Sequence, residues 1–405
     1  MKIRAKYKLD AIQNEIKSFQ NLIDAKNFDE AVQYFRENLE KPTLFGLETS
    51  LIRAKLLQQI EIERLSTDND KCFVLYSLAL TLNLTGGYPN LAIPLYEKHD
   101  GLAEKIGDFK SLSQSLGHHA KALRQVGRFY ESENLARKGL KIIRQRKDFL
   151  REAVNLYWLG MGLAHRGQAE FSEIALQRSL RIFKAEFATQ AEGVVNAFLA
   201  QRGLWLGLNE AALACANRSF EIGKALEKDE NHADLHGAIK ILTAAARMKG
   251  EALVFLSETV GGEKYLLYAL QRAREIEFVE EELPALRALA TLEKLRGNLS
   301  KAKEYLQQSW HLATRGDFKL YNADSYNILA QVETAESNRN KAILATQKAF
   351  DLSICDGIPF AYQRGLEDST NVFKILQVTL RKIPAFKNAT ELSVEEINPK
   401  DEFFC

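Results

Sequence analysis

Two histidines, His232 and His236, stand four residues apart in a His-Ala-Asp-Leu-His run. On a helix that spacing puts both imidazoles on one face, where they can hold a metal if a third ligand comes from elsewhere. A metal-dependent hydrolase is therefore one reading, and a polar helix start facing solvent accounts for the same residues. Gly261-Gly262-Glu263-Lys264 comes nearest to a phosphate-cradling loop, but it lacks the Gly-x-x-x-x-Gly-Lys-Ser/Thr spacing. Neither His-Glu-x-x-His nor Gly-x-Ser-x-Gly occurs. Glu280, Glu281 and Glu282 read as the acidic first turn of a helix, where negative charge suits the helix dipole. His118-His119 reads as a surface-and-packing pair. The four cysteines, Cys72, Cys215, Cys355 and Cys405, form no Cys-x-x-Cys pair and read as reduced thiols. On this chemistry no catalytic residue, cofactor or metal site is assigned.

The bulk properties point to helices. Only 7 prolines occur in 405 residues, and Ala, Leu, Glu, Lys and Arg are abundant. Hydrophobic residues make up 46%, enough for a core, yet no stretch reaches the ~20 uninterrupted apolar residues of a membrane helix. Met1 to Asp10 carries charge but no apolar leader, so a cytoplasmic protein is expected. The 55 basic and 53 acidic residues leave a net charge of +2, which gives no basis for a nucleic-acid partner.

What would position any site is a repeat. A turn at Gly127-Arg128-Phe129-Tyr130-Glu131-Ser132 recurs at Gly167 and Gly207, 40 residues apart each time. Gly297-Asn298 and Ser337-Asn338 repeat the same 40-residue step, and Lys26-Asn27-Phe28 and Gly86-Gly87-Tyr88 carry the turn upstream. A second marker runs in counterphase: Gly107-Asp108-Phe109-Lys110 recurs letter for letter at Gly316-Asp317-Phe318-Lys319. Each unit thus has two turns and two helices, A before the glycine and B after it. Leu156, Leu159, Gly160 and Leu163 fall on one helix face. Small residues such as Gly160, Ala200 and Ala302 sit where paired helices must approach closely.

These residues resemble the tetratricopeptide repeat family. Leu159-Gly160 and Leu199-Ala200 match its Leu-small pattern, and Gly127, Phe129 and Ser132 match its turn. The likeness spans roughly residues 8–355. It implies an all-α fold, a right-handed superhelical solenoid of antiparallel helix pairs. The 40-residue unit resembles the branch of MalT-like STAND sensor arms, kinesin light chains and Rap-type peptide receptors. Organisation is then expected as an N-terminal repeat and atypical connection (1–68), regular repeats (69–357), a capping helix (358–383) and an acidic, disordered tail (384–405). The 90 residues from Gly207 to Gly297 exceed two units by ten, and the excess is assigned to an insertion near 250–264.

The resemblance also implies a concave face lined by A helices, and its inward positions carry over by counting back from each turn. They fall on Lys121 and Arg124; on Tyr157, Met161 and His165; on Gln201 and Trp205; on Lys240 and Arg247; and on Arg287 and Lys294. The set mixes cations with large apolar groups and holds few acids, so a protein or peptide partner of acidic or mixed character is expected. The alternative is that Tyr157, Met161 and Trp205 pack between neighbouring helices. The Lys/Asn clamp of chaperone-tail-binding members is missing, because Tyr157 and Met161, or Ala197 and Gln201, occupy its positions. The favoured function is an interaction module that binds a peptide segment or partner protein in its groove. A sensor of small peptides or metabolites is the second reading, and the hydrolase the third. The tail, with Phe403-Phe404-Cys405 at its end, is expected to dock in the groove of its own or a neighbouring chain.

Overall fold

The computed structural model describes residues 7–84, 87–387 and 389–399. Gly86, Asn388 and the Lys400–Cys405 end, with its two phenylalanines, lie outside the described residues. After α1 (Gln13–Asp24) and α2 (Phe28–Tyr34), two short helices, α3 (Glu40–Phe45) and α4 (Arg53–Leu57), fill the atypical connection. The regular array then begins with α5 (Asp68–Leu84), α6 (Pro89–Ile106), α7 (Phe109–Gln125) and α8 (Phe129–Gln145). It continues through α9 (Phe149–His165), α10 (Ala169–Ala185), α11 (Thr189–Trp205) and α12 (Asn209–Lys228). Next come α13 (Leu235–Phe255), α14 (Thr259–Glu275), α15 (Val279–Leu295) and α16 (Leu299–Ala313). α17 (Lys319–Ala335), α18 (Arg339–Ile354) and the capping helix α19 (Gln363–Ile375) end the array, and one turn of helix, α20 (Val394–Ile397), lies in the tail. Consecutive helices pack antiparallel into a right-handed, all-helical solenoid of the tetratricopeptide type. Among the described residues no helix is long and apolar enough to cross a membrane.

The 40-residue period follows from local chemistry. α7, α9, α10 and α11 each have 17 residues. Turns of three residues join them. Gly127, Gly167 and Gly207 sit at φ of 80°, 75° and 72°, the left-handed region that ends a helix without a Cβ clash. Asp108, Asp148 and Asp234 cap the following A helices through their side chains.

The extra ten residues are not an insertion near 250–264. Gly250 lies inside α13, and Gly261 and Gly262 lie inside α14. The surplus is spread over a longer α12, a longer loop at 229–234 and a longer α13. The turn between α13 and α14 falls at Ser257, which takes φ +70° without a glycine.

One superhelical turn brings distant units into contact. Lys121 on α7 meets Glu280 on α15 at 2.5 Å, across 159 residues. The Tyr130 amide donates to Asp356 at 3.0 Å, and Arg166 donates to the Pro359 carbonyl at 3.0 Å. Phe129 packs in one apolar cluster with Leu320, Phe360 and Tyr362. The solenoid therefore returns on itself and its inner helices surround a central space.

The described part of the tail departs from the expectation of disorder, and the groove docking expected of Phe403-Phe404-Cys405 lies outside the described residues. Residues 389–399 are ordered against the outer helices α8 and α10, and do not enter the inner face. Arg137 donates to Glu396 at 2.7 Å, Arg144 to the Ile397 carbonyl at 3.0 Å and Arg178 to Asn398 at 3.1 Å. Ile397 is fully buried in the cluster that holds Leu140, Leu156 and Phe183. Ser393 and Glu396 close a capping box on α20.

Candidate functional site

The central cavity has a volume of about 250 Å³ and is walled by the A helices α7, α9, α11, α13, α15 and α17, with Tyr362 from the loop before α19. The inward set expected from the sequence converges there. Lys121, Arg124, Tyr157, Met161, His165, Gln201, Trp205, Lys240, Arg247 and Arg287 all line it. Lys294 instead faces a neighbouring cavity of about 170 Å³, where it bonds Gln331.

Its electrostatics differ from the expectation of a groove poor in acids. Glu280, Glu281 and Asp324 line the wall and face five cations, Lys121, Arg124, Lys240, Arg247 and Arg287. Lys121 pairs with Glu280, Arg247 with Glu281 and Glu251, and Arg287 with Asp324. The Tyr362 hydroxyl donates to Asp324 at 2.9 Å. Glu280 and Glu281 do begin a helix, α15, but their side chains neutralise cations across the cavity. The unpaired excess rests on two groups. Lys240 donates to the Leu84 carbonyl at 2.6 Å, and burial pushes its ammonium down to about 8. Among the described residues the Arg124 side chain hydrogen-bonds only the His165 imidazole, at 3.4 Å and longer, and its Nε has no partner. Burial holds His165 neutral, far below its ordinary range, and its Nδ1 bonds the Met161 carbonyl at 2.6 Å.

The apolar wall is aromatic. Tyr157 lies 4.7 Å from Trp158 and 5.3 Å from Phe198, ring centre to ring centre, and His165 lies 4.5 Å from Trp205. Tyr157 and Met161 are buried, so they pack between neighbouring A helices as well as face the cavity. Trp158, Phe198, Tyr321 and Tyr362 line it too and were not singled out from the sequence. Trp158 and Phe198 each sit one position beyond an expected inward residue, so a wider inward arc would have found them. Tyr321 and Tyr362 arrive only because the turn returns on itself.

The histidine pair does not form the geometry that a metal reading needs. His232 lies in the loop before α13, and Asp234 caps the helix that carries His236, so the two do not share a helix face. Among the described residues no group of three or more His, Cys, Asp or Glu is placed to hold a metal ion. His119 is likewise no surface group: its Nδ1 meets Asp100 at 2.8 Å, and Asp100 also meets His99 at 2.8 Å.

Against solved structures, this architecture is similar to a Rap protein complexed with Competence and Sporulation Factor. That likeness has a TM-score of 0.54 at 14% identity and covers 91% of this chain and 97% of that one. It is similar also to the Rap conjugation gene regulator of the plasmid pLS20 in complex with the Phr* peptide. There the TM-score is 0.56 at 12% identity, covering 90% of this chain and 95% of that one. The fold is that of a tetratricopeptide-type repeat protein. As in that fold generally, the A helices form the inner wall, and here they converge on one cavity. No family model matches the sequence. No curated protein matches it either.

Proposed function

We propose that this repeat protein is a receptor for a short peptide, held in the central cavity by the A helices. The observation that carries the reading is the return of the superhelix on itself. It turns an open groove into a space flanked on all sides by helices, with room for a short segment and none for a folded partner. The wall offers aromatic anchors and a few placed polar groups, the usual make-up of a ligand site. The two Rap structures of similar fold hold a Competence and Sporulation Factor and a Phr* peptide, which is in keeping with this reading. Contacts such as Lys121–Glu280 join α7 to α15 beside the cavity. A ligand touching both sides would favour the closed arrangement by its differential affinity for it, so the sensor reading and the peptide reading merge.

The test is a pool of synthetic peptides of about five to eight residues, screened by melting temperature. Binding to the folded state alone raises stability by RT ln(1 + [L]/Kd). A hit should lose its effect in Tyr157→Ala and Trp205→Ala, which strip the wall of its anchors. Hits indifferent to both substitutions would place the binding surface elsewhere.

A further inference from the structure

The wall of the cavity carries an imbalance that its own side chains do not resolve. Arg124 is 9% exposed, and among the described residues no carboxylate bonds it. Glu280, the wall acid whose charge reaches Arg124, is bonded to Lys121. The neutral His165 ring offers at most a long, weak contact. Four further groups of the wall share this condition among the described residues: Trp158 Nε1, Trp205 Nε1, Gln201 Nε2 and His118 Nδ1 are buried without a partner. The first three are N–H donors, as is Arg124 Nε. They lie together, since His165 touches both Arg124 and the Trp205 ring, and the Arg124 guanidinium lies 6.0 Å from the Trp158 ring centre. Gln201 stands one helical turn before Trp205 on α11.

We infer that this corner of the cavity binds a carboxylate carried on an apolar or aromatic body, with Arg124 as its counter-ion. A carboxylate is acceptor-only, with about four lone-pair sites, and four orphan donors belong to residues that line the same space. The guanidinium fork matches its two oxygens, and a charge-assisted pair is strongest where water is excluded. Beyond the donors the wall turns apolar at Tyr157, Phe198 and Met248, which would receive the body of the ligand. A peptide with a free C-terminus and a small aryl or alkyl acid share this chemistry. The first source rests on the peptide-receptor reading above, and the second does not.

The probes are 3-phenylpropionate, and N-acetyl-leucyl-phenylalanine as its free acid and as its C-terminal amide. Binding is followed by tryptophan fluorescence, since Trp158 and Trp205 line the site. The acids should bind about tenfold or more tightly than the amide, because a hydrogen bond to a charged group is involved. Arg124→Gln should abolish that preference, weakening the acids about tenfold or more and the amide far less. Trp205→Phe, which removes only the indole N–H from the donor set, should weaken the acids about threefold. Equal binding of acid and amide, indifference to both substitutions, or no binding of any probe would each overturn the inference. Phenylpropionate bound through Arg124 with both peptides excluded would uphold the carboxylate site and sink the peptide receptor. Both peptides bound alike would do the reverse.

Discussion

Replacing Glu280 by Gln removes the charge that faces Lys121 across the closed superhelical turn. The Lys121 side chain is 2% exposed, and that of Glu280 is 13% exposed. Breaking a buried pair from one side typically costs about 3–5 kcal/mol, because the remaining charge is left uncompensated. Lys121 can escape part of that cost by releasing its proton, and burial already holds its ammonium below the ordinary lysine range. We therefore expect Glu280→Gln to lose about 3 kcal/mol in urea unfolding at pH 7. The loss should shrink toward pH 9.5. A lysine with a lowered folded pKa binds fewer protons folded than unfolded, so stability rises with pH between the folded and unfolded values. Lys121→Met with Glu280→Leu removes both charges and should cost about 1 kcal/mol or less, so the singles will not add. Because the pair bridges α7 and α15, Glu280→Gln should also enlarge the radius of gyration measured by X-ray scattering. An unchanged urea midpoint, or a double variant as damaging as the sum of the singles, would refute the argument that this pair holds the turn closed.

Gly160→Leu should destabilise by about 1–3 kcal/mol through overpacking. A Cβ there would lie 2.9 Å from Leu176 Cγ and 3.3 Å from Ala175 Cβ, and calorimetry reads the fall in melting temperature. His118 is half-buried and neutral, pushed down to about 3 by desolvation and by Lys121, so the unfolded state takes up its proton first as pH falls below about 6.5. Stability should decline from pH 6.5 downward, and His118→Phe should flatten that decline in urea titrations at pH 7, 6 and 5. Ile397→Ala should cost about 2–5 kcal/mol locally, because it empties a fully buried position. Its signature is faster proteolysis of the segment around 389–399 without loss of the repeat core.

Legibility of the fold tracked local chemistry. Gly127, Gly167 and Gly207 marked their turns because each sits at positive φ, where glycine is favoured. The equivalent turn at Ser257 carries the same φ on a serine, so nothing in the composition pointed to it, and the neighbouring glycines drew the surplus residues to the wrong place. The inward face was legible through helical periodicity, which is why Lys121, Tyr157 and Arg247 meet in one cavity. Their charge state was not. Glu280 and Asp324 oppose the cations from helices 159 and 37 residues distant in sequence, and that pairing depends on how small rotations between repeats accumulate. The order of the tail was illegible for a related reason. The Glu396 carboxylate finds Arg137, and the Glu396 and Ile397 carbonyls find Arg144, on an outer helix, α8, that holds no position in the inward pattern.

The return of the superhelix on itself alters how the chain should fold. An open repeat array behaves as a one-dimensional system: each unit meets only its neighbours, terminal units fray, and stability is nearly a sum of local terms. Here Tyr130 is joined to Asp356 across 226 residues, and Arg137 to Glu396 across 259. The last units support the early ones, so neither end of the array is free to melt alone. Such distant pairings also raise contact order, and closing them costs chain entropy before any contact repays it. The array should assemble its helix hairpins quickly and locally, then wait on a slower step that draws the two ends together. Its unfolding should be a single cooperative event, in contrast to the progressive unzipping of an open solenoid.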